Sequence, residues 1–472
     1  MARNYLRSAA LLLLSLAPQR PARAYSLLTH EQLIDLTWKS SIVPLLLSRY
    51  PTLTPAQLEH ARAFAYGGCV IQDIGYYPFG DPFFSNLTHY VRSGDFVVNL
   101  FRNAGDADEL AFAVGALSHY IGDTIGHSTA TNLAVPVEFP RLRARYGDSV
   151  SYAQGEHQHV QTEFAFDINE IAHHHLAPVH YLRHVGLEVP TRQVALAFYQ
   201  TYGLSEDFTA GRGRRINVRG YRFAVRNFIP RIAYAVTVLH RGKLPAADGQ
   251  SPDLVLLQQQ IATIAAENHW DQFRRKPGIG TYSLAALLFL LPKLGPLKLV
   301  AVKGPTTVTE DQYLHSVVRS SEGLHQALVR FTPPPSTRST AATAAASDTH
   351  SQPAPGSSQN IPRKSPDPQH PLPNRDLDTG NPVKPGGYPL TDSTYASLLH
   401  RLIASPTHPI PPGIKADVLA YFTDQTAPFA TRNPVAWATV QHDLTTLASV
   451  PTSTDPVPFA TYGDDPNETS TN

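Results

Sequence analysis

Cysteine is nearly absent from this 472-residue chain, which has 1 against 21 histidines and 41 prolines. A single thiol excludes an intramolecular disulfide framework and every zinc or iron–sulfur site built from several thiolates. Charge is sparse as well: Asp, Glu, Lys and Arg together make up 16%, below the ~25% usual for globular domains. The 39 basic residues nearly cancel the 38 acidic ones, so no global field draws the chain to nucleic acid. Runs of alternating β-branched residues are few, and there is no internal repeat.

What the chain does have is unevenly placed. Twelve of the 21 histidines fall between His30 and His184, and 23 of the 41 prolines fall from Pro333 onward. The first 24 residues read as a signal peptide. Arg3 and Arg7 precede an apolar run from Ala9 to Ala17, then the small-x-small site Ala22-Arg23-Ala24. That run is far shorter than the ~20 residues that span a bilayer. Cleavage after Ala24 would make Tyr25 the mature N-terminus of a secreted or periplasmic protein. An exported chain without disulfides needs another brace, and bound metal can supply one.

The apolar periodicity predicts an all-α protein. Residues 25–203 read as a helical catalytic domain, with helices over 106–122 and 158–172 and one opened by Thr54-Pro55, an N-cap followed by proline. Loops are expected at 75–88 and 124–156. Residues 204–332 read as a helical extension, part of it basic. Residues 333–390, rich in Pro, Ser and Thr, lack the large apolar groups that offset ordering entropy and read as a disordered linker. A small helical segment over 391–450 and a polar tail over 451–472 complete the chain.

The strongest local signal is His119-Tyr-Ile-Gly-Asp123-Thr-Ile-Gly-His127. Positions four apart share a helix face, so two imidazoles and a carboxylate align. His159, Glu163 and Asp167 repeat the same spacing, and Asp167 is a further candidate ligand. These are the groups Zn²⁺ accepts when thiolates are lacking. Two such helices facing each other would build a polynuclear site in a bundle core. Glycines at 122 and 126 weaken the first helix. They make sense if something approaches its backbone there, or if the helix ends just before His127.

His30 lies near the expected mature terminus, and Asp73 and His89 flank an aromatic loop. Tyr76, Tyr77, Phe83 and Phe84 in that loop suit a substrate pocket wall for an apolar or cationic group.

The order Thr29-His30, Asp73, Phe84-Ser-Asn-Leu-Thr-His89-Tyr90, His119-Tyr-x-Gly-Asp123, His127 and His159-x-x-x-Glu163 resembles the zinc-dependent phospholipase C family. The resemblance covers roughly residues 25–203. It implies an all-α fold related to single-strand nucleases and three zinc ions. His89, His119 and Asp123 would hold one zinc, and His127, His159 and Glu163 a second. His30, bridging Asp123, and the amine and carbonyl of Tyr25 would hold the third, with Asp73 beside the metals as ligand or catalytic general base. The short spacing to His127, the Thr29-His30 entry and Asp167 look more like the catalytic domain of glycosylphosphatidylinositol-specific phospholipase D.

The resulting expectation is an exported zinc-dependent phosphodiesterase that hydrolyses phospholipids, with peripheral membrane contact and either C-type or D-type cleavage. The alternatives are a nuclease on the same scaffold, or a non-catalytic zinc-stabilised module binding lipid or cell surfaces. Nine Arg and Lys between 211 and 243 read first as a solvated helix face, and second as a surface for lipid head groups or nucleic acid. Ser283–Leu291 is too short to cross a membrane and reads first as a buried helix, and second as an interfacial one. Cys69 reads as a small buried residue.

Overall fold

The computed structural model describes residues 27–77, 80–206, 208, 218–240, 244, 251–290, 304–329, 331 and 371–454. The expected signal peptide, Tyr25, most of the expected linker and most of the polar tail lie outside the described residues. So do Arg212, Arg214, Arg215, Arg241 and Lys243 of the basic stretch. The protein is all-α: the described residues contain helices and no strand, only isolated bridges at Arg375–Pro382 and Ile410–Thr452.

Six helices frame the centre: α1 (Leu27–Thr37), α2 (Pro55–Gly68), α3 (Pro82–Tyr90), α4 (Ser93–Arg102), α5 (Ala107–Gly126) and α6 (Glu156–His173). Their starts are written locally. Thr54 and Gln57 form a reciprocal capping box ahead of Pro55. Asp106 caps α5, with Asp108 and Glu109 in its first turn facing the positive end of the helix dipole. The expected loops are shorter than the sequence suggested. Asp81 caps α3 by accepting the Phe83 N–H, with Pro82 at the first helical position, and short helices over Asn132–Glu138 and Pro140–Tyr146 occupy much of 124–156.

α5 runs through the middle, and α2 lies against it closely enough for backbone to touch backbone. A Cβ at Gly115 would stand 2.2 Å from the Ala65 carbonyl oxygen, and one at Gly68 would stand 2.1 Å from that of Phe112.

The later helices are α7 (Thr191–Tyr202), α8 (Ile229–His240), α9 (Pro252–Glu267), α10 (Ile279–Leu290), α11 (Thr307–Leu328), α12 (Pro389–Leu402), α13 (Pro412–Tyr421) and α14 (Pro434–Ser449). They are not appendages. One apolar core joins Leu33 and Leu117 to Leu324 of α11, Leu398 of α12 and Leu447 of α14. The basic stretch is partly engaged: Arg222 pairs with Glu188, and Arg226 donates to the Arg183 carbonyl.

Two expectations are corrected. Residues 371–390, expected to lie in the linker, are folded: Leu372 and Leu377 are buried and residues 374–383 form a tight hairpin-like loop. Polar contacts rather than bulk apolar burial hold that loop, so its composition resembled disorder. The apolar run from Ser283 is not a buried helix. α10 buries Ala285 and Leu288, with Leu284 partly buried beside them, against α8, while Phe289 and Leu290 are 72% and 78% exposed.

The α2–α5 crossing yields a stability prediction. Gly115→Ala should cost about 1–3 kcal/mol of unfolding free energy, because a rigid carbonyl opposes the new methyl. Gly280→Ala in α10, where a Cβ meets nothing within 4 Å, should leave stability level or raise it by up to about 1 kcal/mol. Thermal midpoints of the two variants check the contrast.

Candidate metal centre

The first ladder stands on the last two turns of α5 and on the turn after it. His119 and Asp123 are fully buried in α5, and His127 opens a π-helical turn over His127–Thr131. The α-helix therefore ends at Gly126, and the wider turn carries His127 onward while keeping it on the same face. Gly122 has a separate reason. A Cβ there would come 3.3 Å from Nδ1 of His30 and 2.9 Å from Leu33, so α1 lies directly over it. His30 stacks on His119 with ring centroids 4.1 Å apart.

Around these, the fold collects the other candidates. Asp73 ends a 3₁₀ turn over Ile71–Asp73, His89 comes from the last turn of α3, and His159 and Glu163 come from α6. Three groups bring one donor atom per residue within 4.8 Å of one another: His30 with His119 and Asp123; Asp73 with His89 and His119; His127 with His159 and Glu163. His119 belongs to two groups. Asp123 lies between them all, its oxygens 3.2 Å from His30, 3.1 Å from His119, 3.4 Å from His89 and 3.9 Å from His127.

The chemistry of this donor set fits a cation. Nδ1 of His89 donates to the Ser85 carbonyl at 2.7 Å, and Nδ1 of His119 donates to the Cys69 carbonyl at 2.9 Å. A carbonyl only accepts, so each bond places the proton on Nδ1 and leaves a lone pair on Nε2. The two Nε2 atoms then face each other at 3.4 Å, and two acceptors that close require a positive charge between them. Both oxygens of Asp123, both of Glu163 and both ring nitrogens of His159 are buried without a hydrogen bond. Buried polar atoms left in that condition cost ~1–3 kcal/mol each unless something else meets them.

The titration behaviour of the metal-free protein reflects the same crowding. Burial lowers His30 and His159 to about 4 and raises Glu163 to about 8. Burial opposes the charged form of His89 too, yet the Asp123 and Asp73 carboxylates that face it at 3.4 Å lift it to about 10. A proton on His89 then takes the part of a cation. Burial also raises Asp73. Asp123 is held well below the usual carboxylate range, because His119 and His127 outweigh the cost of burying it.

Not every expected residue joins the centre. Asp167 is in none of the three groups. Its oxygens accept the Leu28 N–H at 3.2 Å and the Thr29 hydroxyl at 2.9 Å, which fastens the start of α1. Of the aromatic candidates, Tyr76, Tyr77 and Phe83 line a cleft of about 990 Å³. Phe84 does not: it is 1% exposed and packs in a core cluster with Phe96, Phe198 and Phe208. Phe84 faces inward because α3 begins at Pro82, which turns adjacent positions to different sides. Tyr76 links cleft and centre, its ring 5.5 Å from that of His89.

The far wall of the cleft comes from α12 and α14 through His400, Arg401, Val440 and Asp443. Sequence reasoning missed these residues. The Arg401 guanidinium lies 3.9 Å from the Phe83 ring centroid and 3.8 Å from Asp81, so α12 is tied to the start of α3.

Residues 29–205 match the family model described as zinc dependent phospholipase C. That segment contains every residue of the three donor groups. No curated protein and no solved structure matches the chain.

Metal removal should be visible in stability. Unfolded histidine takes up its proton below about pH 6.5, whereas the buried rings do so only below about 4. The metal-free protein therefore loses stability as pH falls through that interval. Glu163 acts in the opposite sense: its retained proton stabilises the fold below about 4.5, and that contribution is lost as pH rises through about 8. Thermal scans with chelator should show a lowered midpoint that zinc restores, and a narrower pH range of stability for the metal-free form.

Proposed function

We propose that this protein is a zinc-dependent phosphoric diester hydrolase acting on phospholipids, with cleavage of the C type. The observation that carries the reading is the gathering of three buried donor groups around Asp123, two of them sharing His119, within the family-matching residues. His30, His89, His119, Asp123, His127, His159 and Glu163 would hold the metal, with the mature terminal amine and carbonyl of Tyr25 completing the set and Asp73 beside it. Zinc there supplies an acidified water and neutralises phosphoryl oxygens. The count of three ions is part of the proposal.

The chain's own residues supply position and proton transfer. Asp73, 2% exposed and raised by burial, is suited to take a proton from the attacking water. Asp123, kept ionised, holds positive groups together that would otherwise repel. The cleft beside Tyr76 would accommodate the head group between aromatic walls, where Asp81 and Asp443 on one hand and Arg401 on the other offer charge of both signs.

Peripheral membrane contact belongs to the same proposal. α10 presents Ile279, Tyr282, Phe289 and Leu290 at 55–83% exposure, next to exposed Arg275 and Lys276. An apolar helix rimmed by basic residues matches an anionic lipid surface. Among the described residues no helix is long and apolar enough to cross a membrane. Export through cleavage after Ala24 is proposed on the N-terminal sequence alone.

The test is turnover of mixed phospholipid vesicles by the zinc-loaded chain, with and without chelator, beside single-stranded DNA. Diacylglycerol with a phosphorylated head group is expected. Phosphatidic acid with free head group would move the reading to D-type cleavage, and DNA hydrolysis alone would replace it with a nuclease. Failure on every phosphodiester by metallated protein would leave a binding module. Asp73→Asn should lower turnover at least about 100-fold at unchanged zinc content; a parallel loss of one zinc would make Asp73 a ligand. Phe289→Glu with Leu290→Glu should weaken binding to anionic vesicles about tenfold or more while hydrolysis of a soluble short-chain phospholipid is unchanged.

A further inference from the structure

His89 and His119 each have Nδ1 fixed by a backbone carbonyl inside the family-matching residues. His127 has the same kind of bond, but its acceptor comes from elsewhere. Its Nδ1 donates at 3.1 Å to the carbonyl of Leu377, 250 positions further along. Leu377 also donates its own N–H to the His89 carbonyl at 3.1 Å. One residue of the C-terminal part thus grips the ring of one candidate ligand and the backbone of another.

The neighbouring Asp378 reinforces this contact. One carboxylate oxygen lies 3.8 Å from Nδ1 of His127. The other accepts the hydroxyls of Tyr90 at 2.9 Å and Tyr388 at 2.6 Å. Its carbonyl accepts the Asn132 side chain at 2.7 Å, so backbone and carboxylate are both held in place. The carboxylate is 2% exposed, and the groups that bond it are neutral phenols. A charge buried that deeply calls for a positive partner, and the His127 side of the centre is where one would lie.

The loop itself is shaped for the task. Residues 374–383 close through Val383 N–H to the Asn374 carbonyl and Asp376 N–H to the Asn381 carbonyl. Gly380 has φ +71, and a Cβ there would stand 2.6 Å from the Thr124 carbonyl of α5. Only glycine lets the loop settle this close to the helix that carries Asp123.

We propose that residues 374–383 are a working part of the metal centre: the Leu377 carbonyl and the Asp378 carboxylate are positioning groups for His127, and they keep its Nε2 directed at Glu163 and Asp123. The proposal rests on the zinc reading above. Partners behind a metal-bound histidine fix its tautomer and orientation, and losing one typically costs ~10–100-fold in metal affinity. In this chain that support comes from outside the segment that matches the zinc dependent phospholipase C family.

The experiment uses the full chain loaded with zinc and follows transfer of zinc to a chromogenic chelator, together with the thermal midpoint of the metal-free form. Asp378→Ala and Gly380→Ala should each release the most labile zinc about 10–100-fold faster than the parent, with Asp378→Asn in between. In cobalt-substituted protein, Asp378→Ala should also alter the visible spectrum. A purely structural role predicts a lowered metal-free midpoint with zinc release unchanged, and that pattern from folded Asp378→Ala overturns the proposal. If Asp378→Ala does not fold, Tyr388→Phe carries the test: faster zinc release supports the proposal and an unchanged rate overturns it. A parent chain that holds no zinc removes the zinc reading itself, a result distinct from a zinc-bearing parent whose variants are indifferent.

Discussion

The carboxylate of Asp123 lies at zero exposure among the ring nitrogens of four histidines, and the rest of the architecture follows from keeping it there. Four imidazoles from α1, α3, α5 and the π turn cannot meet one carboxylate unless the helices come unusually close. Gly122 lets His30 pass over α5. Gly68 and Gly115 let α2 sit backbone to backbone on the same helix, which brings the Cys69 carbonyl to His119 at the end of α2. Small residues in the packing and polar residues in the centre are therefore one design. The first sets the helix separation that the second requires.

Asp123 also explains how a polar cluster survives inside an apolar core. The core around it is continuous from Leu33 to Leu447, and a low-dielectric surrounding makes every uncompensated charge expensive. Metal-free, the cluster redistributes protons, so that His89 is lifted to about 10 and Glu163 to about 8 while His159 falls to about 4. Such opposed shifts within a few ångströms come from buried acids and bases sharing protons, and groups perturbed in this way gather at functional sites.

Much of this was legible in the sequence because helical spacing is a short-range signal. His119, Asp123 and His127 share a face whatever lies around them, as do His159 and Glu163. Asp167 follows the same period yet was misread, since period alone does not say which partner fills a position; the start of α1 does. Phe84 and Phe83 are adjacent and chemically alike, and only the N-terminus of α3 decides which one meets the cleft. Leu377, Asp378, Arg401 and Asp443 were out of reach. Their roles depend on contacts across hundreds of residues, and the loop over 374–383 has the proline and glycine content that elsewhere marks an unordered chain. Asp376-x-x-Thr379-Gly380 within it is a turn signal, but a turn signal does not say where the turn docks.

The position of the 374–383 loop along the chain has a consequence for assembly. A polypeptide is made from its N-terminus, so His30 through Glu163 are all available before Leu377 and Asp378 exist. Until those residues arrive, His127 lacks its backbone acceptor, and the Asp378 carboxylate that later faces it is missing. Closing this contact also requires bringing together positions 250 apart, a slow, non-local step compared with forming the helices. The topology therefore sets the order in which the parts become available: the candidate ligands first, and the loop that bonds His127 last.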